Sequence, residues 1–222
     1  MGRRAAPSSL RDPLRLRRMT RRLAIFPLGG AVLFPRMHLP LHIFEPRYRA
    51  MVSEAMARDQ RIGMIQPSGP GEPPPLYTVG CMGRIAEIEA LEDGRFNIIL
   101  AGESRFRIAR ELDVSTLFRQ VEAELIDAAD DDIAALAPSE RAALEQEARA
   151  FADALGYVVE WDAVTTLDDE TLVHAIAQIA PFDIASKQAL LEAPNLSERS
   201  ELTIQLMQFF RRGEAQGSSR LQ

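Results

Sequence analysis

Few residues in this chain are of the types and spacings that catalysis or metal binding needs. Cys81 is the only cysteine. Neither an intramolecular disulfide nor a multi-cysteine zinc site can form, and a lone cysteine among apolar neighbours reads as a small buried residue. His38 and His42 stand four apart, which on a strand would put both rings on one face, as a metal pair requires. Pro40 lies between them and no third histidine is near, so they read as structural or solvent-exposed. His174, beside Gln178 on the polar side of a predicted helix, reads as a surface residue. Ser186 and Lys187 are neighbours, and a Ser–Lys catalytic pair needs the amine aimed at the hydroxyl. Adjacent residues on a helix point in different directions, so this adjacency carries no catalytic expectation. Asp130, Asp131 and Asp132 read as a solvated linker. Gly69-Pro70-Gly71 lacks the third glycine and the helix of a dinucleotide fingerprint, no Gly-Lys pair supports a phosphate loop, and Gly102-Glu103-Ser104 lacks the closing glycine of a nucleophile elbow. Arg105 and Arg107 share one strand face with Glu103 in line. That could hold an anion, but charge pairing around a buried Phe106 is the favoured reading. No catalytic residue, cofactor or metal is expected.

The elements that would position such residues follow from composition and pattern. The chain has 222 residues, 46% apolar and 26% charged, the balance of an ordinary globular protein. Its longest apolar run, Leu23 to Phe34, is broken by Pro27 and Gly29-Gly30 and is too short to span a bilayer. Residues 1–22 hold eight arginines and one aspartate, about +7, and the remainder carries −13. So acidic a body is a poor binder of nucleic acid, because phosphate neutralisation needs a basic surface. Residues 1–22 are therefore expected to be a disordered basic tail, with Met19 an alternative start. The apolar run offers no clean signal-peptide core, and with one cysteine a reducing, cytoplasmic setting is expected.

Residues 23–126 read as mostly strand and residues 127–222 as mostly helix. Asp93-Gly94 between two alternating runs predicts a tight hairpin. The break in alternation between Ile85 and Ile88 predicts a bulge. Arg61 to Gln66 and Val121 to Leu125 read as strands, and Ser68 to Pro75 as an exposed loop. One early helix is predicted, with Pro46 in its first turn and a stripe of Tyr48, Met51, Val52, Ala55 and Met56. In the second half, Ser139 is the expected N-cap and Gly156 the C-terminal residue of a helix through Leu144, Phe151 and Leu155. Leu172 to Ile179 and Lys187 to Leu191 read as helices. Asn195 with Glu198 caps a last one, striped by Leu202, Leu206, Phe209 and Phe210. Gly213 to Gln222 reads as a frayed tail.

The segment Ala24 to Tyr48 fits no simple period. It is apolar and punctuated by Pro27, Pro35, Pro40 and Pro46. Phe26-Pro27-Leu28, Val32-Leu33-Phe34-Pro35 and Leu39 to Tyr48 resemble the opening of the Lon protease N-terminal, substrate-binding domain. Tyr77 to Ile85, Asp93-Gly94-Arg95, Ala101 to Ile108 and Lys187 to Glu192 resemble its later segments, in the same order. Leu39 to Tyr48 has the form common in stand-alone bacterial members and in cereblon-type proteins. The resemblance runs from Leu23 to about Arg212 and is to a stand-alone bacterial member of the family. It implies an α+β fold: a PUA-like β-barrel of short, mainly antiparallel strands with one early helix, followed by a C-terminal helical bundle. It implies recognition of unfolded or degron-bearing polypeptides, with a protease or chaperone as further partner. It implies no enzyme, since the ATPase and Ser–Lys peptidase domains of Lon are not in this chain. On this reading Phe34, Met37, Leu39, Ile43, Phe44 and Tyr48 supply the polypeptide contact, with backbone groups beside Pro27, Pro35 and Pro40 free to bond an extended peptide. The alternative is a PUA-like RNA-binding protein.

Overall fold

Proline and glycine placement sets where the elements begin and end. The computed structural model describes residues 20–126 and 135–218. Strands β1 (Thr20–Pro27) and β2 (His38–Ile43) flank the irregular Pro-rich segment, and helix α1 (Pro46–Met56) follows with Pro46 in its first turn. There proline's missing N–H costs nothing, because the first helical N–H groups have no intrahelical acceptor. Strands β3 (Arg61–Ile65), β4 (Val79–Ala90), β5 (Phe96–Glu111) and β6 (Gln120–Leu125) complete the first half. The hairpin between β4 and β5 turns at Gly94, whose φ of 77° is a conformation glycine adopts without strain. A register shift between Ile85 and Glu87 is the expected bulge.

The six strands form one mixed sheet in the order β2-β5-β4-β3-β1-β6. Only β1 and β3 run parallel; the other neighbours are antiparallel. β5 also pairs with β6, which closes β5-β4-β3-β1-β6 into a ring and leaves β2 outside it on β5. Leu23, Ile25, Ile65, Met82, Phe106 and Val121, drawn from all five ring strands, pack together inside it. Phe106 fits because Gly63 and Gly80 face it. A Cβ at Gly80 would lie 2.7 Å from the Phe106 ring and one at Gly63 3.0 Å from it.

The helical half comprises α2 (Pro138–Leu155), α3 (Trp161–Thr165), α4 (Asp169–Ile179), α5 (Ile184–Glu192) and α6 (Leu196–Ser218). Gly156 ends α2 in the left-handed conformation, φ 71°. The N-cap of α2 is Ala137 rather than Ser139, because Pro138 takes the first helical position and the Glu140 carboxylate accepts the Ala137 N–H at 2.9 Å. Asn195 caps α6 as expected: its Oδ1 accepts the Glu198 N–H at 2.9 Å and its Nδ2 donates to Glu198 Oε1 at 2.7 Å. Helix α6 runs on to Ser218, past the Gly213 boundary read from the sequence. At the other end, Thr20 to Arg22 are strand rather than tail. They pair with Glu124 to Glu122, Arg21 forms an ion pair with Asp59, and Arg22 Nε donates to Gln120 Oε1 at 2.6 Å. The rest of the predicted tail and the linker Ala128 to Asp132 lie outside the described residues.

One apolar core spans both halves. Phe26, Leu33, Phe34 and Ile43 of the strand half belong to the same buried cluster as Leu144, Phe151, Leu172 and Leu190 of the helices. Part of the outer face of the ring is therefore capped by helices instead of water.

Candidate functional site

The six residues predicted to contact polypeptide separate on folding. Phe34, Ile43 and Tyr48 are buried at 0%, 1% and 6% exposure, while Met37 and Leu39 are half-buried against the same core. Tyr48 lies 4.2 Å from the Phe26 ring, with the Arg47 guanidinium 4.6 Å over its own ring. Phe34 stacks on His174 at 5.0 Å. Only Phe44 presents its ring to solvent, at 58%. The contact assignment is corrected for Phe34, Ile43 and Tyr48: their side chains pack into the apolar core. The freed backbone is largely taken as well. Arg36 N–H donates to Gly102 O at 2.9 Å, Gly102 N–H donates to Met37 O at 2.8 Å, and Gln178 Nε2 donates to His38 O at 2.8 Å.

A polar junction between the strand half and the helical half stands in their place. Helices α4 and α5 both stop at an alanine before a proline, Ala180-Pro181 and Ala193-Pro194, because proline forces the preceding residue out of the helical region. Neither helix has a basic residue in its own last turn to complement its negative end. Cations from elsewhere fill the role. Lys187 Nζ donates to Gln178 O at 2.9 Å and to Gly30 O at 3.4 Å. Arg105 of β5 donates to Leu191 O at 3.0 Å and Ala193 O at 2.6 Å. Arg199 of α6 donates to Leu190 O and Ala193 O, each at 2.9 Å.

His174, expected at the surface, is 1% exposed inside this junction. One ring nitrogen lies 3.1 Å from Pro35 O and the other 2.9 Å from Arg199 Nη1. Arginine only donates, so the imidazole is neutral with its proton on Nδ1. Gln66 joins the halves too, donating to Ile184 O and to Gln188 Oε1, each at 3.1 Å. Burial pushes the Lys187 ammonium below the usual lysine pKa. Lys187 is nevertheless a strap between elements, and Ser186 beside it spends its N–H on the α5 cap Asp183 at 2.7 Å.

The predicted anion face divides. Arg105 is buried on the helix carbonyls, whereas Arg107 is exposed. Glu103 takes Arg61 in a two-point pair at 2.6 and 3.1 Å. His42 lies 2.7 Å from Asn97 Oδ1 and 3.3 Å from Arg95, so both of its ring nitrogens are engaged. Among the described residues no group of three or more His, Cys, Asp or Glu converges as a metal site. None of their helices is long and apolar enough to cross a membrane.

The surface feature that the sequence reading missed is an apolar groove of ≈ 210 Å³ in the helical half. Phe151 of α2, Trp161 and Val164 of α3, Leu172 and Ile176 of α4 and Met207 of α6 line it. Arg149 holds the Trp161 ring from behind, its guanidinium 4.3 Å from the centroid. The rim carries Tyr157 at 52% and Ile179 at 75% exposure, and the adjoining Val158 is wholly exposed. The detectable signal was Tyr157-Val158-Val159 directly after the Gly156 helix stop, an apolar run where a polar loop is the norm.

The fold agrees with the comparisons to known proteins. The family model of the ATP-dependent protease La (LON) substrate-binding domain matches residues 22–208. The chain belongs to the Lon substrate-binding domain family. Lon protease 2 of Myxococcus xanthus is 25% identical over 195 residues, covering 83% of this chain and 23% of that protein. Lon protease 1 of Syntrophobacter fumaroxidans is 29% identical over 188 residues, covering 81% and 23%. The chain thus spans under a quarter of the length of these relatives. In structure it resembles a Lon N-terminal domain protein of Xanthomonas campestris, with a TM-score of 0.62 at 20% identity over 82% of this chain and 95% of that one. The N-terminal domain of a Mycobacterium avium complex Lon protease gives 0.65 at 17% identity over 85% and 98%. These likenesses show the Lon N-terminal domain fold. The Pro-rich opening and the Ala101–Ile108 strand, which carry the resemblance in sequence, supply Phe34 to the shared core and Arg105 to the junction.

Proposed function

We propose that this Lon-type domain acts as a non-enzymatic recognition module for unfolded or degron-bearing polypeptides, in an adaptor or chaperone-like role in cytoplasmic protein quality control. A protease or chaperone would be its further partner. The closed cycle of five strands fits the PUA-like barrel reading. The observation that carries the functional proposal is the apolar groove, with Tyr157, Val158 and Ile179 standing exposed around it. Such a site takes apolar side chains from a chain that has lost its own core and asks for little sequence specificity. The acidic body gives the RNA alternative no support.

The test compares wild type with Ile179→Glu in binding a permanently unfolded, reduced and carboxymethylated protein, read by fluorescence anisotropy. A charge at the groove rim should weaken binding about tenfold, a change of about 1.4 kcal/mol. Equal affinity of the two proteins would remove the groove as the contact surface.

A further inference from the structure

A second surface of different chemistry lies on the sheet. β4 outruns β3: their pairing spans Arg61 to Met64 against Arg84 to Cys81, and Ile85 N–H still donates to Gln60 O at 2.8 Å. Beyond that, no strand or loop of the described residues pairs with the outer edge of β4, and Ala86 to Ala90 are all exposed. The hydrogen-bond parity of this stretch is fixed. Leu91 N–H donates to Arg95 O at 2.9 Å, so Leu91, Glu89 and Glu87 turn their backbone groups to β5. Ile88 and Ala90 therefore turn their N–H and C=O groups outward, to an unoccupied strand position.

The side chains beside that edge are acidic. Glu87 and Glu89 sit on one face, next to Ile99 and Asn97 of β5 and to Pro40 and His42 of β2, around an open hollow of ≈ 490 Å³. Glu89 accepts from Asn97 at 2.7 Å, while among the described residues no ion pair engages Glu87. Arg84 and Arg95, in the same hairpin, face other carboxylates, Arg84 with Glu103 at 3.8 Å and Arg95 with Asp93 at 2.6 Å. The other free edge, that of β2, carries Pro40, which has no N–H to offer, and its His38 carbonyl is taken by Gln178.

We propose that the outer edge of β4 from Ala86 to Ala90 receives an extended polypeptide strand with a basic–apolar–basic pattern. The proposal shares with the groove reading only the class of partner. A strand added there lies about 4.8 Å away. Its backbone bonds Ile88 and Ala90, its two basic side chains stand opposite Glu87 and Glu89, and its apolar residue stands opposite Ile88. Edge-to-edge pairing with the β4 of a second copy is disfavoured, because it would set Glu87 and Glu89 against the same residues, and like charges directly opposite repel. The chain's own Arg15-Leu16-Arg17 carries the favoured pattern and is the competing occupant.

The test uses the full chain and a fluorescent peptide of alternating lysine and valine, with a glutamate-and-valine peptide as control. Anisotropy should show binding of the first peptide and none of the second, with Ile88 and Ala90 amides gaining hydrogen-exchange protection. Ile88→Pro, which removes an outward N–H and leaves the β5 ladder intact, should weaken binding about two- to tenfold. Glu87→Lys with Glu89→Lys should abolish it without altering the fold, while Ile179→Glu in the groove should leave it unchanged. Unchanged affinity in both edge variants overturns the proposal, and so does binding without protection at Ile88 and Ala90. Binding seen only after Arg15→Glu and Arg17→Glu also overturns it, by assigning the edge to the chain's own segment. Loss of unfolded-protein binding in Ile179→Glu bears on the groove alone.

Discussion

Arg105→Met should destabilise the domain by about 3 kcal/mol. Methionine keeps the unbranched apolar stem and deletes the guanidinium. Arg105 supplies a charged donor to Leu191 O at 3.0 Å and to Ala193 O at 2.6 Å, at the C-terminus of α5. Arg199 still reaches Ala193 O, but the buried Leu191 carbonyl loses its guanidinium donor. A hydrogen bond from a charged group contributes about 1.5–3 kcal/mol, and an unsatisfied buried carbonyl costs about 1–3 kcal/mol. These describe overlapping losses, so about 3 kcal/mol is the sensible total. That is a large share of the roughly 5–15 kcal/mol that holds an average domain folded, and at about 2–4 °C per kcal/mol it lowers Tm by about 6–12 °C. Arg107→Met is the matched control, the same substitution two residues along the same strand face at an exposed position, expected to stay within about 0.5 kcal/mol. Urea unfolding followed by the fluorescence of Trp161, the only tryptophan, measures both. A cost below about 0.5 kcal/mol for Arg105→Met, or equal costs for the two variants, would refute the capping argument.

Further outcomes follow from other contacts. Phe34→Ala should cost about 3–5 kcal/mol, because it empties a fully buried site and removes the His174 stack, whereas Phe44→Ala should stay within about 0.5 kcal/mol; thermal unfolding separates them. Asp183→Ala should cost about 1 kcal/mol at neutral pH by uncapping α5. The Ser186 N–H holds the Asp183 carboxyl below its ordinary 3.8. Its charged form therefore contributes stability above pH 3.8 that is lost as pH falls through the lower folded value, and Asp183→Asn should flatten that limb of an acid titration.

Much of the local structure was legible in the sequence. Asp93-Gly94 gave the hairpin, Pro46 the start of α1, and Asn195 with Glu198 the α6 cap, because each motif bonds to residues within a few positions of itself. The Ser139 cap failed for an equally local reason, since Pro138 outcompeted it for the start of α2. Helix α3 has only five residues, too few for an amphipathic period to show. The predicted contact residues failed differently. Their apolar character was read correctly, but no local signal says whether an apolar side chain faces a partner or its own core. A proline-broken segment gives no period from which to decide.

By itself, the sequence determined the family, the division into strands followed by helices, and the acidic body, all of which depend on residue types and near spacing. Only the tertiary structure decided which polar groups are interior. His174 lies on what reads as a polar helix face, yet it is buried because Phe34, Pro35 and Arg199 close over it. Arg105 is buried and Arg107 exposed, on the same strand face, because the end of α5 meets the first and not the second. The open edge of β4 likewise exists only because β3 stops pairing at Arg61 while β4 continues. Burial and edge exposure are relations between segments distant in the chain, and no single segment encodes them.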